Sequence, residues 1–234
     1  MNRLDATPFT WAGIRSGAVA IGPFAASTAA FGIAFGVLAS QHGLTLLAAT
    51  GMSATVYAGS AQMVALQLWD SPVPLIPVWL ATIAMNARYI LMGASLRSWF
   101  GGLSPARAYG TLALLGDANW MVGMREYAAG RRDAGSVLGG GAVMYLAWVS
   151  STAAGHALGG ILGSPRRWGL DFMLPAFCAT MVISLWRGRG DLRPIIVAAV
   201  VTLVAGRFLP GQWHILVGGL VGSLAGIWGH DRRA

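Results

Sequence analysis

From Ser16 to Ala87 the chain carries one formally charged side chain, Asp70, in a run of apolar and small residues. A water-soluble fold of that length needs a charged outer face. A bilayer imposes no such demand, since a spanning helix is about 20 largely apolar residues long. The composition agrees, with 56% hydrophobic and 10% charged residues, where soluble domains carry about 25% charged. The chain therefore reads as an all-α, polytopic membrane helix bundle forming one integral membrane domain over 1–234, with a short cytoplasmic N-terminus at 1–16.

Eight apolar segments can be drawn, at about 17–39, 44–69, 74–97, 107–126, 136–162, 170–187, 193–209 and 212–230. The first exceeds the 7–15-residue core of a signal peptide and reads as a retained span. Eight crossings with both ends cytoplasmic place Arg3, Arg15, Arg125, Arg131, Arg132, Arg187, Arg189, Arg193, Arg232 and Arg233 inside, and Arg97, Arg107, Arg166, Arg167 and Arg207 outside. A re-entrant 44–69 segment would invert the later loops to seven inside and eight outside. The positive-inside bias thus favours eight crossings.

The net charge of +8 comes entirely from Arg, mostly at segment ends. That is an interfacial topology signal and not a nucleic-acid footprint, so no nucleic-acid partner is expected. The lone Cys178 excludes an internal disulfide and a thiolate metal cluster. The chain has no Lys, hence no P-loop. No cofactor or metal motif appears.

Small residues recur every fourth position at Gly13 and Gly17, Gly32 and Gly36, Gly155, Gly159 and Gly163, and Gly218, Gly222 and Gly226. This spacing lets helices approach closely in lipid. Packing within the chain is the first reading, and the last stripe is the best candidate for a subunit interface. Pro23 and Pro175 can kink their spans. Asp171 suits a helix cap, and His156 a polar packing contact.

Three places set polar groups at membrane depth, where they are costly and mark candidate sites. In Tyr57-Ala58-Gly59-Ser60-Ala61-Gln62, weak helix formers precede Gln62. An interruption there would aim a half-helix N-terminus at an anionic group such as a carboxylate, with Gly59, Ser60 and Gln62 as ligands. An unbroken helix with small packing residues is the alternative. In Asn86-Ala87-Arg88 the guanidinium lies too deep to snorkel, and suits either a substrate carboxylate or a buried acid. Asn86 and Arg88 share a cavity only if the helix unwinds. In Asp117-Ala118-Asn119 the acid can hold a proton, a cation or an ammonium group, with Arg88 its natural charge partner and Asn119 a second acceptor.

Gly22-Pro23, Phe35-Gly36, the Tyr57–Gln62 and Asn86–Arg88 motifs, Arg97, and Gly169-Leu170-Asp171-Phe172-Met173-Leu174-Pro175-Ala176-Phe177 together resemble the AzlC family, over about 15–230. The resemblance implies the large subunit of a secondary transporter that exports branched-chain amino acids, and sometimes methionine, across the bacterial cytoplasmic membrane. It also implies a small AzlD-like membrane partner. One departure is Asp117-Ala118, where relatives tend to carry an acidic pair. On the physical reading, Gly59, Ser60, Gln62, Asn86, Arg88 and Asn119 are the substrate-binding candidates and Asp117 the proton-coupling one. A passive channel or scaffold subunit is the alternative. An intramembrane Ser–His protease is disfavoured, because Ala58-Gly59-Ser60-Ala61 lacks a Gly-x-Ser-Gly loop.

Overall fold

The computed structural model describes residues 7–69, 73–162, 188–209 and 213–230, with scattered positions between 167 and 186. Cys178, Asp171 and most of the 170–187 segment lie outside the described residues. All regular structure among the described residues is helical. By contacts the chain forms two compact units, one of 1–66 with 85–173 and one of 67–84 with 174–234. The chain folds as a membrane helix bundle. Its long apolar helices are Gly22–Gln41, the Leu75–Phe100 stretch and Gly135–Ile161.

In the first unit, α1 (Trp11–Ala20) and α2 (Gly22–Gln41) meet at Ile21. Pro23 sits in the first turn of α2, where its missing N–H has no helical partner to lose. Both helices run parallel to α9 (Gly135–Leu162). Ile14 lies against Gly139, Gly32 against Ser151, Gly36 against Thr152 and Ser40 against Gly159. The contact is backbone on backbone: a Cβ at Gly36 would stand 2.6 Å from the His156 nitrogen, and one at Gly155 would stand 2.7 Å from the Ile33 Cα. The every-fourth-residue glycines thus build this seam within the chain. At its start, Asp133 accepts from the Thr10 amide at 3.1 Å and from the Thr10 hydroxyl, locking α1 to the beginning of α9.

Two segments drawn as crossings are hairpins. The first is α3 (Leu46–Val56) and α4 (Gly59–Gln67). It begins at the far end of α9, where His156 Nε2 lies 2.7 Å from the Leu44 carbonyl oxygen. It descends past Thr152, whose hydroxyl is 2.9 Å from Ser53 Oγ, to Tyr145, which donates to the Ala54 carbonyl at 3.0 Å. At 11 residues α3 spans about 16 Å, half the hydrocarbon core. At Tyr57 the backbone enters the left-handed region, φ 45 and ψ 44, and the direction changes. A straight continuation would carry Gln62 about 13 Å beyond Ser53. Gln62 Nε2 instead donates to Ser53 Oγ at 3.1 Å, so α4 folds back towards α3.

The second hairpin enters from the opposite end. α7 (Pro105–Leu112) starts with Arg107 stacked 5.3 Å over Phe9, just before α1. α8 (Asp117–Ala128) returns to the same end, where Tyr127 stacks on Trp99 at 5.0 Å and Trp99 Nε1 donates to the Arg132 carbonyl at 2.7 Å. Helices of 8 and 12 residues span about 12 and 18 Å, too short to cross. α5 (Leu75–Asn86) passes through a one-residue turn at Ala87 into α6 (Arg88–Phe100), which ends at Trp99 beside Arg132.

This path corrects the sequence-based topology. Arg97 and Arg107 lie at the end that holds Thr10, Arg131 and Arg132, not opposite it. The positive-inside count misled because it tested one re-entrant segment alone, and a second restores the parity of the later loops. In the second unit, α10 (Leu192–Ala205) packs on α11 (Trp213–His230). A Cβ at Gly222 would meet Ala198 Cβ at 2.5 Å, and one at Gly218 the Ala198 carbonyl at 2.9 Å. The stripe expected at a subunit interface therefore serves this intrachain pair, because the close approach it permits is already taken.

Candidate substrate site at the hairpin tips

The half-helices place the polar residues at their starts. Ser60 is the second residue of α4, Arg88 the first of α6 and Asp117 the first of α8. Arg88 Nη2 lies 3.0 Å from Asp117 Oδ2 and donates to Ser60 Oγ at 3.1 Å. Helix N-termini favour negative charge, and Asp117 at the first position of α8 gains from this. The side chains are 20% and 38% exposed for Arg88 and Asp117, so the pair is shielded without being sealed.

The pair leaves hydrogen-bonding capacity unused. Among the described residues, three buried side-chain atoms have no protein partner: Asn86 Oδ1, Arg88 Nε and Asp117 Oδ1. Buried polar atoms are normally paired, and leaving one unmet costs about 1–3 kcal/mol. These three, one donor and two acceptors, belong to the ion pair and to the residue just before the Ala87 turn. The helix does not unwind there. Ala87 keeps right-handed backbone angles, and a short turn bond joins the Ile90 amide to its carbonyl at 3.1 Å.

Gln62 and Asn119 hold scaffolding. Gln62 is fully buried, donates to Ser53 and accepts from Trp148 Nε1 at 3.0 Å, tying both arms of the first hairpin to α9. Asn119 Oδ1 accepts from the Gly116 amide at 2.6 Å, and its Nδ2 donates to the carbonyls of Leu114 at 3.1 Å and Val137 at 3.3 Å. Its amide therefore shapes the second tip. Gly59 makes room for the Trp148 ring, which a Cβ there would meet at 2.8 Å. Trp148 in turn stacks on Phe35 at 5.8 Å. Ser60 and His156, the residues a Ser–His enzyme would use, are bonded to separate groups.

Sequence reasoning missed the aromatic surround. Tyr57 is the one non-glycine residue with positive φ among the described residues. That conformation costs an L-residue roughly 1–2 kcal/mol. Its ring meets Tyr145 edge-on at 5.1 Å, a contact worth about 0.5–1.5 kcal/mol, which offsets much of the strain. The only sequence signal was the position of Tyr57 just before Ala58-Gly59.

The AzlC protein family model matches residues 23–162, which hold both hairpins and the ion pair. The chain belongs to the AzlC family. It is 26% identical over 180 residues to the branched-chain amino acid transport protein AzlC of Bacillus subtilis (strain 168), covering 75% of this chain and 69% of the relative. It is 24% identical over 211 residues to an uncharacterized membrane protein of Haemophilus influenzae, covering 88% and 82%. No solved structure matches the chain.

Proposed function

We propose that this AzlC-family chain is the large subunit of a secondary transporter that exports branched-chain amino acids, with methionine as a further cargo, across the bacterial cytoplasmic membrane. Its Arg-rich end, with Arg97, Arg107, Arg131 and Arg132, faces the cytoplasm by the positive-inside rule. A small AzlD-like membrane subunit completes the complex, as the family resemblance implies. The name of the Bacillus subtilis relative supports the substrate class.

One observation carries the site reading: the unpartnered Arg88 Nε, Asp117 Oδ1 and Asn86 Oδ1. A zwitterionic α-amino acid offers their complement, a carboxylate that accepts and an ammonium that donates. The Arg88–Asp117 pair is the resting state, each charge satisfying the other. An entering amino acid inserts its carboxylate at Arg88, beside Ser60 Oγ, and its ammonium at Asp117. Exchanging one ion pair for two keeps both buried charges compensated, which a neutral or singly charged solute does not do.

The same carboxylate supplies the coupling. Asp117 holds an ammonium group only when ionised, and a proton on it competes with the amino acid. A proton entering from outside as an amino acid leaves makes export an exchange. The test is transport of radiolabelled leucine in inverted membrane vesicles with an imposed pH gradient. Accumulation that collapses with the gradient is expected, as is loss of gradient sensitivity in Asp117→Asn. Unaltered gradient-driven accumulation in that variant removes the coupling role. Equilibration without accumulation in the wild type favours a passive pathway.

A further inference from the structure

We propose that Tyr57, at the tip of the first hairpin, is a substrate-contacting residue whose hydroxyl accepts a hydrogen bond from the ammonium group held at Asp117. The inference rests on the zwitterion reading of the site and adds a ligand to it from the opposite hairpin.

The geometry points there in three steps. The left-handed backbone at Tyr57 turns its ring away from the α3 helix line, and Tyr145 fixes the ring edge-on at 5.1 Å. Tyr145 is itself anchored, donating to the Ala54 carbonyl at 3.0 Å, so the ring is held at the tip and does not swing freely. The phenol then reaches the second hairpin. A Cβ at Gly116, the residue before Asp117, would stand 3.7 Å from Tyr57 Oη. The bare glycine leaves the hydroxyl against the start of α8.

The hydroxyl is poised and unused. It makes no hydrogen bond to another described group, although the ring is half-buried. It thus lies at the start of α8, whose first residue is Asp117, the acidic member of the ion pair, where the ammonium end belongs. A phenol oxygen there accepts one N–H of the ammonium while Asp117 accepts another, and the aromatic rings add cation–π attraction.

The test is leucine transport by Tyr57→Phe, which keeps ring and volume and removes only the hydroxyl. The leucine KM is expected to rise about tenfold, equivalent to about 1.4 kcal/mol, with the maximal rate unchanged. Inhibition by leucinamide, which keeps the ammonium, is expected to weaken by the same factor, while inhibition by 4-methylpentanoate, which keeps only the carboxylate, stays as in the wild type. A wild-type KM in Tyr57→Phe, or an equal loss for both inhibitors, overturns the proposal. Tyr57→Gly keeps the left-handed turn without strain, and its full activity overturns it as well. Were leucine not transported by the wild type at all, the zwitterion reading itself would fall, a result distinct from these.

Discussion

Removing either member of the Arg88–Asp117 pair strands the other in a low-dielectric site, and the cost can be worked from the geometry. At 3.0 Å and an effective dielectric of about 20, two unit charges attract by about 5.5 kcal/mol. Desolvation cancels most of that. The 38% exposure of the Asp117 side chain reduces it further through solvent screening. A net coupling of about 2 kcal/mol remains. Arg88→Gln and Asp117→Asn should each destabilise the protein by about 2 kcal/mol. The double variant, with no stranded charge, should cost about 2 kcal/mol instead of 4. For a chain of 234 residues, each kcal/mol corresponds to roughly 2–4 °C in Tm. Thermal unfolding in one detergent, followed by tryptophan fluorescence, gives the four corners of the cycle. An additive double variant, losing about twice either single, would refute the interaction.

Gly36→Ala forces a Cβ against the α9 backbone and should destabilise by about 1–3 kcal/mol, whereas Gly51→Ala, in open space within α3, should be neutral or slightly stabilising; Tm values in one detergent separate the two. In a Cys178→Ala background, single cysteines at the exposed positions Ser104 and Ala129 should react with a membrane-impermeant maleimide from one side, and one at His42 from the other. Labelling of Ser104→Cys from the His42 side would restore straight crossings for both hairpin segments.

The membrane environment, the apolar segments and the broken character of the second were legible because they depend on local composition. Gly59 and Ser60 weaken the helix where it breaks, and Asp117 follows a glycine that opens one. The pairing of Arg88 with Asp117 also followed from charge alone, since each is the natural counter-ion of the other at depth. The direction of the chain after Tyr57 did not follow. It is set by the long-range bonds of Gln62 to Ser53 and Trp148, which no local pattern encodes. The same limit hides the bonds that Gln62 and Asn119 make within the fold: a buried amide reads alike in sequence whether it faces cargo or holds the protein's own side chains and backbone. Tyr57 drew no role because its place in the fold depends on a single left-handed residue.

Calorimetric titration of leucine into the purified protein, wild type against the Arg88→Gln/Asp117→Asn double variant, bears most directly on the claim that the starts of α6 and α8 present an ion pair to a zwitterion. Measurable binding to the wild type is expected, with at least a hundredfold loss in a double variant that still unfolds cooperatively. Equal leucine affinity in the two proteins would contradict it.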